Sequence, residues 1–187
     1  MTFAAAREPG KVAPMLWELR LFWYRADKAA AAFALFFSLV VGSLVYAFMA
    51  VSAERDAQHA RVREFHTRSV DCLARNVYYE ARGEPSAGQY AVAEVTMNRR
   101  ASPFYPKSVC EVVYQKDAFS WTAFEEALEA PVGAAWQRAL HVADNVYYQR
   151  RPPAMPDALH FHAAYVQPEW SKDRRRLVRI GRHVFYR

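Results

Sequence analysis

Three groups of residues in this 187-residue chain have types and spacing that could do chemistry. The first is Glu80, inside the run NVYYEARGE from Asn76 to Glu84. On a helical wheel with Val70 as origin, the apolar stripe centres at about 10° and Glu80 falls at about 280°, the margin of the apolar face. A carboxyl there, flanked by Tyr78 and Tyr79 near a helix C-terminus, is partly desolvated and sits at the negative end of the helix dipole. Both effects raise its pKa, as a general acid for glycoside cleavage requires near neutral pH. Taken alone, the geometry favours a plainer role, a surface carboxylate paired with Arg82 or Arg75. The second group is His160 and His162. Alternate strand positions point the same way, so with His183 they could form a three-histidine zinc site with one open position. No HExxH motif accompanies them, and His-x-His in an aromatic strand is more often structural, so neither metal nor cofactor is expected. The third group is Cys72 and Cys110. In an oxidising compartment they could bridge, for about 4 kcal/mol by the chain-entropy model; in a reducing one they would be two buried thiols.

The elements that must position these residues begin with an apolar run. Ala29 to Val51 is 23 residues without a charge, about 34 Å of helix against a hydrocarbon core of about 30 Å. A buried core helix would rarely stay uncharged that long. A cleaved signal peptide could end at Val51-Ser52-Ala53, but this run is longer than a usual signal core and starts late. An uncleaved transmembrane helix over 29–51 is the favoured reading. Lys11, Arg20, Arg25 and Lys28 before it balance Arg55, Arg61, Arg63 and Arg68 after it, so charge does not fix its orientation. Residues 52–66 read as a polar juxtamembrane helix or tether, and a soluble domain is expected over 67–187.

Within that domain, Val70, Leu73, Ala74, Val77, Tyr78 and Ala81 form one helical stripe. Gly83 should supply the C-cap of that helix and Pro85 a break. Ser86 with Gln89 suggests a capping box opening a second helix that runs to about Arg100. Short and long helices follow over Ser108–Gln115 and Val132–Tyr148. Ala158–Ala163 and Leu177–Tyr186, the latter broken by Gly181, are rich in aromatic and β-branched residues and read as strands. Helices first and a small sheet last make an α+β domain. At 53% apolar and 24% charged the composition is globular, and six glycines exclude Gly-rich low-complexity architectures. The net charge of +6 gathers at Lys172, Arg174, Arg175, Arg176, Arg179, Arg182 and Arg187. It reads as one solvated basic face rather than a nucleic-acid site.

The run CLARNVYYEARGEPSAGQYAVAEVTMNR, Cys72 to Arg99, resembles the opening of the SleB-type cell-wall hydrolases, the spore cortex-lytic enzyme family. Later blocks match in order: SPFYPKSVCEVVYQ from Ser102, AFSW from Ala118, ALHFH from Ala158 and IGRHVFYR from Ile180. The likeness covers about residues 70–187 and leaves out 1–66. It implies a lysozyme-like, mainly helical domain with a small C-terminal β-sheet, here preceded by one N-terminal transmembrane helix. It further implies cleavage of the bond between N-acetylmuramic acid and N-acetylglucosamine in peptidoglycan, with Glu80 as catalytic acid and then base, closing a 1,6-anhydro ring as a lytic transglycosylase does. Tyr79, Gln89, Asn98, Phe119, Ser120, Trp121 and Tyr186 become candidates for the sugar groove, with His160 or His162 also able to bond substrate. Glu84 is a secondary candidate, since paired carboxylates could serve a hydrolase, but Gly83 and Pro85 direct it to a structural bond at the helix junction. No further peptidoglycan-binding repeat accompanies the block, which argues against a spore role.

The substrate then fixes what charge counting left open. The expected arrangement is a cytoplasmic segment 1–28, one pass through the inner membrane, and a periplasmic catalytic domain in which Cys72 and Cys110 bridge. The rival readings are a zinc-dependent cell-wall amidase built on His160, His162 and His183, and a non-catalytic wall-binding anchor.

Overall fold

The computed structural model describes residues 28–124, 129 and 131–187. All but the last residue of the expected segment 1–28 therefore lies outside the described residues. The chain divides into two compact units, Met1–Gln58 and His59–Arg187, and the expected boundary at residue 67 falls inside the second. Helix α1, Lys28–Ala81, contributes to both.

In the first unit the described residues are helical, and Phe33, Phe36, Leu44, Phe48 and Met49 stand exposed. The serine hydroxyls along it are turned back onto the helix, Ser38 donating to Ala34 O, Ser43 to Val40 O and Ser52 to Met49 O. The stretch thus shows an apolar surface with its hydroxyl donors already satisfied. Among the described residues this is the one helix long and apolar enough to cross a membrane.

The second unit is mainly helical with a small antiparallel sheet. The end of α1 buries Leu73, Ala74, Val77 and Ala81, the stripe expected from the sequence. It is followed by α2 (Ser86–Ala101), α3 (Val109–Val113), a 3-10 turn (Ser120–Ala123) and α4 (Ala134–Tyr147). A disulfide joins Cys72 on α1 to Cys110 on α3, with the Cα atoms 5.3 Å apart. One core cluster gathers Leu73, Val77, Val109, Val113, Trp136 and Val142; a second packs Val92 and Val95 of α2 against Met155, Ala158 and the fully buried Phe185. Asn76, also fully buried, donates to Thr96 Oγ1 (3.0 Å) and accepts from Trp121 Nε1 (3.2 Å). That network lets a polar group sit in the core without an unmet bond.

The strands are β1 (His160–Ala163), β2 (Arg176–Ile180) and β3 (His183–Tyr186), ordered β1-β3-β2 and antiparallel throughout. Gly181, at φ +56°, makes the tight β2–β3 turn, a backbone region that a Cβ disfavours.

Two local expectations are corrected. Pro85, not Ser86, is the N-cap of α2, and no side chain caps it. Ser86 already lies in the first turn, and Gln89 instead donates its amide to Glu84 O (3.0 Å). The reciprocal capping box occurs at α3, where Ser108 and Glu111 satisfy each other's backbone N–H. Nor is Gly83 a left-handed cap, since the glycines with positive φ are Gly133 and Gly181. Gly83 provides room: the Arg182 guanidinium lies 2.9 Å from where its Cβ would be.

Candidate active site

Glu80 stands in the last turn of α1, half-buried. Burial pushes its carboxyl up to about 7, and the nearby charge of Arg99 pulls against that rise. The two arginines that could have neutralised it along the helix are engaged elsewhere. Arg75 pairs with Asp71 at 2.8 Å, and Arg82 lies over the Tyr78 ring at 5.0 Å. The plain surface pairing is therefore not what the side chains adopt.

Arg99 comes from the C-terminal turn of α2 and is only 9% exposed. Its Nε donates to Leu159 O at 2.7 Å, and its guanidinium lies over the rings of Tyr105 (5.5 Å) and Phe119 (5.3 Å). Burial draws down the pKa of Arg99 itself, while Tyr105 and Glu80 hold it up. It forms part of the wall of a cavity of about 350 Å³ together with Tyr105, Gln115, Lys116, His160 and Trp170. Burial, and then the charges of Arg174 and Arg99, press the His160 imidazole down to about 4, so it is neutral at physiological pH. A larger cavity, about 570 Å³, lies against Glu84, Gln89, Tyr90, Gln137 and His141; Glu80 lines neither of the two, and of the pair only the smaller has Arg99 in its wall.

Glu84 has the opposite environment. Its carboxylate accepts from Arg182 N (2.8 Å) and Arg182 Nε (2.6 Å), and its side chain is 2% exposed. Burial alone would raise its pKa, but these bonds and the charges of His183 and Arg182 outweigh it and hold the carboxyl below the usual range. A carboxylate with its oxygens occupied in this way is an acceptor and not a proton donor.

The aromatic and amide candidates separate into two sets. Tyr79 stacks on Trp121 at 4.7 Å, and Trp121 is buried and fixed through Asn76. Asn98 donates to Met155 O (2.7 Å) and Ala158 O (2.9 Å), and Gln89 is buried against Glu84, so both amides are occupied by the fold. Phe119 underlies Arg99, and Ser120 opens the 3-10 turn at an exposed position. His162 Nε2 meets the Tyr186 hydroxyl at 2.9 Å with the rings stacked, and Trp170 packs edge-on against both.

The three histidines do not converge. Register pairs His183 with Ala163, one position out of step with His160 and His162, so it faces the opposite side of the sheet. There it packs edge-on against Phe161 with Nδ1 buried and unpartnered. Among the described residues no cluster of three or more His, Cys, Asp or Glu could hold a metal ion.

Arg99, Tyr105 and Trp170 line the candidate site and were not singled out by sequence reasoning. For Arg99 a signal existed: Val92, Val95, Thr96 and Arg99 share one buried face at helical spacing. A charge that continues an apolar stripe is a charge with a purpose.

A family model described as Cell Wall Hydrolase matches residues 83–186, beginning just beyond Glu80. The spore cortex-lytic enzyme of Bacillus subtilis is 32% identical over 121 residues, which are 65% of this chain and 38% of that protein. The spore cortex-lytic enzyme of Halalkalibacterium halodurans is 31% identical over 65% of this chain and 35% of its own length. The chain thus spans well under half of these relatives. Among solved structures, the catalytic domain of the Bacillus cereus SleB protein matches with a TM-score of 0.54 at 28% identity, covering 65% of this chain and 91% of that one. The catalytic domain of the germination-specific lytic transglycosylase SleB from Bacillus anthracis matches with a TM-score of 0.53 at 28% identity, covering 64% and 93%.

Proposed function

The chain belongs to the cell wall hydrolase family, and on that premise we propose that it degrades peptidoglycan as a membrane-anchored lytic transglycosylase with Glu80 as its acid and base. The observation that carries this reading is the half-buried Glu80 carboxyl, poised to titrate near pH 7 beside a buried arginine, while its neighbour Glu84 is locked in a structural bond. A protonated Glu80 donates to the oxygen linking N-acetylmuramic acid to N-acetylglucosamine. The resulting carboxylate, steadied by the charge of Arg99, takes the proton of the muramic C6 hydroxyl as that oxygen closes on C1. One carboxyl performs both transfers, and its pKa lies where each protonation state is accessible.

Residues 29–51 serve as the anchor in this reading, crossing the inner membrane once with the catalytic domain in the periplasm. The exposed apolar surface of that stretch supports it. The Cys72–Cys110 disulfide supports an oxidising side for the domain. Mass spectrometry of fragments released from purified sacculi by the full chain should find 1,6-anhydro-muramic ends. Reducing ends instead would mean that water attacks and would overturn the transglycosylase step. An alkaline phosphatase fused at the C-terminus should be active in cells; a silent fusion would overturn the topology.

A further inference from the structure

We infer that the cavity beside Arg99 is a recognition site for a short acidic peptide, whose carboxylate is held by the cations around it. This rests on the wall-degrading function proposed above and names a part of the substrate that function leaves open: the peptide stem carried by the muramic sugar. The cavity, about 350 Å³, is of a size to take a dipeptide. Its charge is lopsided. Arg99 and Lys116 are cations in its wall, and Arg174 acts on His160 from close by. Against them stands Asp117, exposed on the same wall. Glu80, which also feels Arg99, carries no full charge near neutral pH.

Arg99 is the anchor of the site because it is buried and cannot be hydrated like a surface arginine. Its contacts with Leu159 O and with the Tyr105 side chain use only part of a guanidinium's five N–H donors. A planar fork with donors remaining is suited to a carboxylate. Gln115 and the neutral His160 add polar groups without adding negative charge, while Trp170 and Phe161 offer an apolar wall for a methyl-bearing side chain. The glycan backbone carries no carboxylate of its own beyond the lactyl group, which is amide-linked when a stem is present. The anions of these strands are therefore the carboxylates of the stem, those of its acidic residues and of its end, and a cationic cavity with one apolar wall fits alanine followed by an acidic residue.

The test is calorimetric titration of the wild-type full chain in detergent micelles with two probes, N-acetylmuramyl-L-alanyl-D-glutamate as free acid and the same compound with both carboxyls amidated. Neither contains a glycosidic bond to cleave, so the readout is independent of catalysis. The free acid should bind about tenfold or more tightly than the amide, as a charge-assisted bond warrants. That preference should shrink with added salt. The Arg174→Ala and Lys116→Ala double variant should bind the free acid no better than the amide. Equal binding of the two probes by the wild type overturns the proposal. So does displacement of the acid by an equal concentration of inorganic phosphate, which would mark a general anion site. A chain that binds the free acid yet releases nothing from sacculi would sustain this site and refute the function proposed above.

Discussion

Glu80 and Glu84 stand four residues apart on either side of one helix terminus, and their surroundings treat them in opposite ways. Glu80 is half-buried, and burial pushes its carboxyl up to about 7. Glu84 is less exposed, its carboxylate covered by the Arg182 side chain, and two bonds from Arg182 keep its pKa below the ordinary range. Low solvent exposure alone does not therefore decide protonation. What decides it is whether donors meet the carboxylate once water is gone. The same residue type becomes a titrating acid in one place and a permanent anion in the other because α1 ends between them.

The sharpest way to break this comparison is to neutralise each carboxyl in turn. Glu80→Gln should lower release of fragments from sacculi by about 10²–10⁴-fold or more, since Gln keeps the shape but cannot donate the proton. Glu84→Gln should lose less than about tenfold. Comparable losses in the two variants would end the assignment of a single catalytic carboxyl.

The next largest effect is on stability. Gly181→Ala places a Cβ in a left-handed turn and against the Glu84 carboxylate, which should destabilise the domain by about 2–3 kcal/mol in denaturant titrations. Glu84→Gln should cost about 1–2 kcal/mol at pH 7, a charge-assisted bond discounted for an Arg182 side chain that is 69% exposed. The Glu84 pKa is depressed by folding. Its contribution is present above the unfolded carboxylate pKa and fades as pH falls through the folded value, so this variant and the wild type should converge in acid.

The smallest effect has the opposite sign and the opposite pH range. The Glu80 pKa is raised by folding, so its contribution is complete below the unfolded value and is lost as pH rises through about 7. Glu80→Gln should match the wild type at about pH 3.5 and be more stable by about 1 kcal/mol at pH 9, the full shift being discounted for a carboxyl that water still reaches. Wild-type activity should fall over the same interval as Glu80 loses its proton. Thermal unfolding across pH checks both limbs; a variant that is less stable at every pH would contradict the burial of Glu80.

Much of the helical frame was legible because it is local. Leu73, Ala74, Val77 and Ala81 repeat at helical spacing, and the strands around Phe161 and Phe185 carry aromatic and β-branched residues. The end of α1 could be foreseen from Gly83 and Pro85, and with it the structural fate of Glu84. Its partner could not, because Arg182 lies 98 residues away and reaches it only through the β2–β3 turn. The face occupied by His183 was equally hidden, since a strand register one residue different would have sent it to the other side of the sheet. Arg99 was visible as part of a motif, but its position beside Glu80 depends on Leu159 and Phe119, which no spacing rule brings to α2. The capping error at Ser86 has a simpler cause: Pro85 takes the cap one residue early.

Strand β2 forms one border of the sheet, with no strand beyond it among the described residues. Its register slips between Arg176 and Val178, and both Arg176 and Arg179 are exposed along it. Irregular pairing and a row of cations make that border a poor template for a strand of another molecule. Leu177 and Val178 can thus remain at the surface on an edge that gives the strand of a crowded neighbour little to pair with.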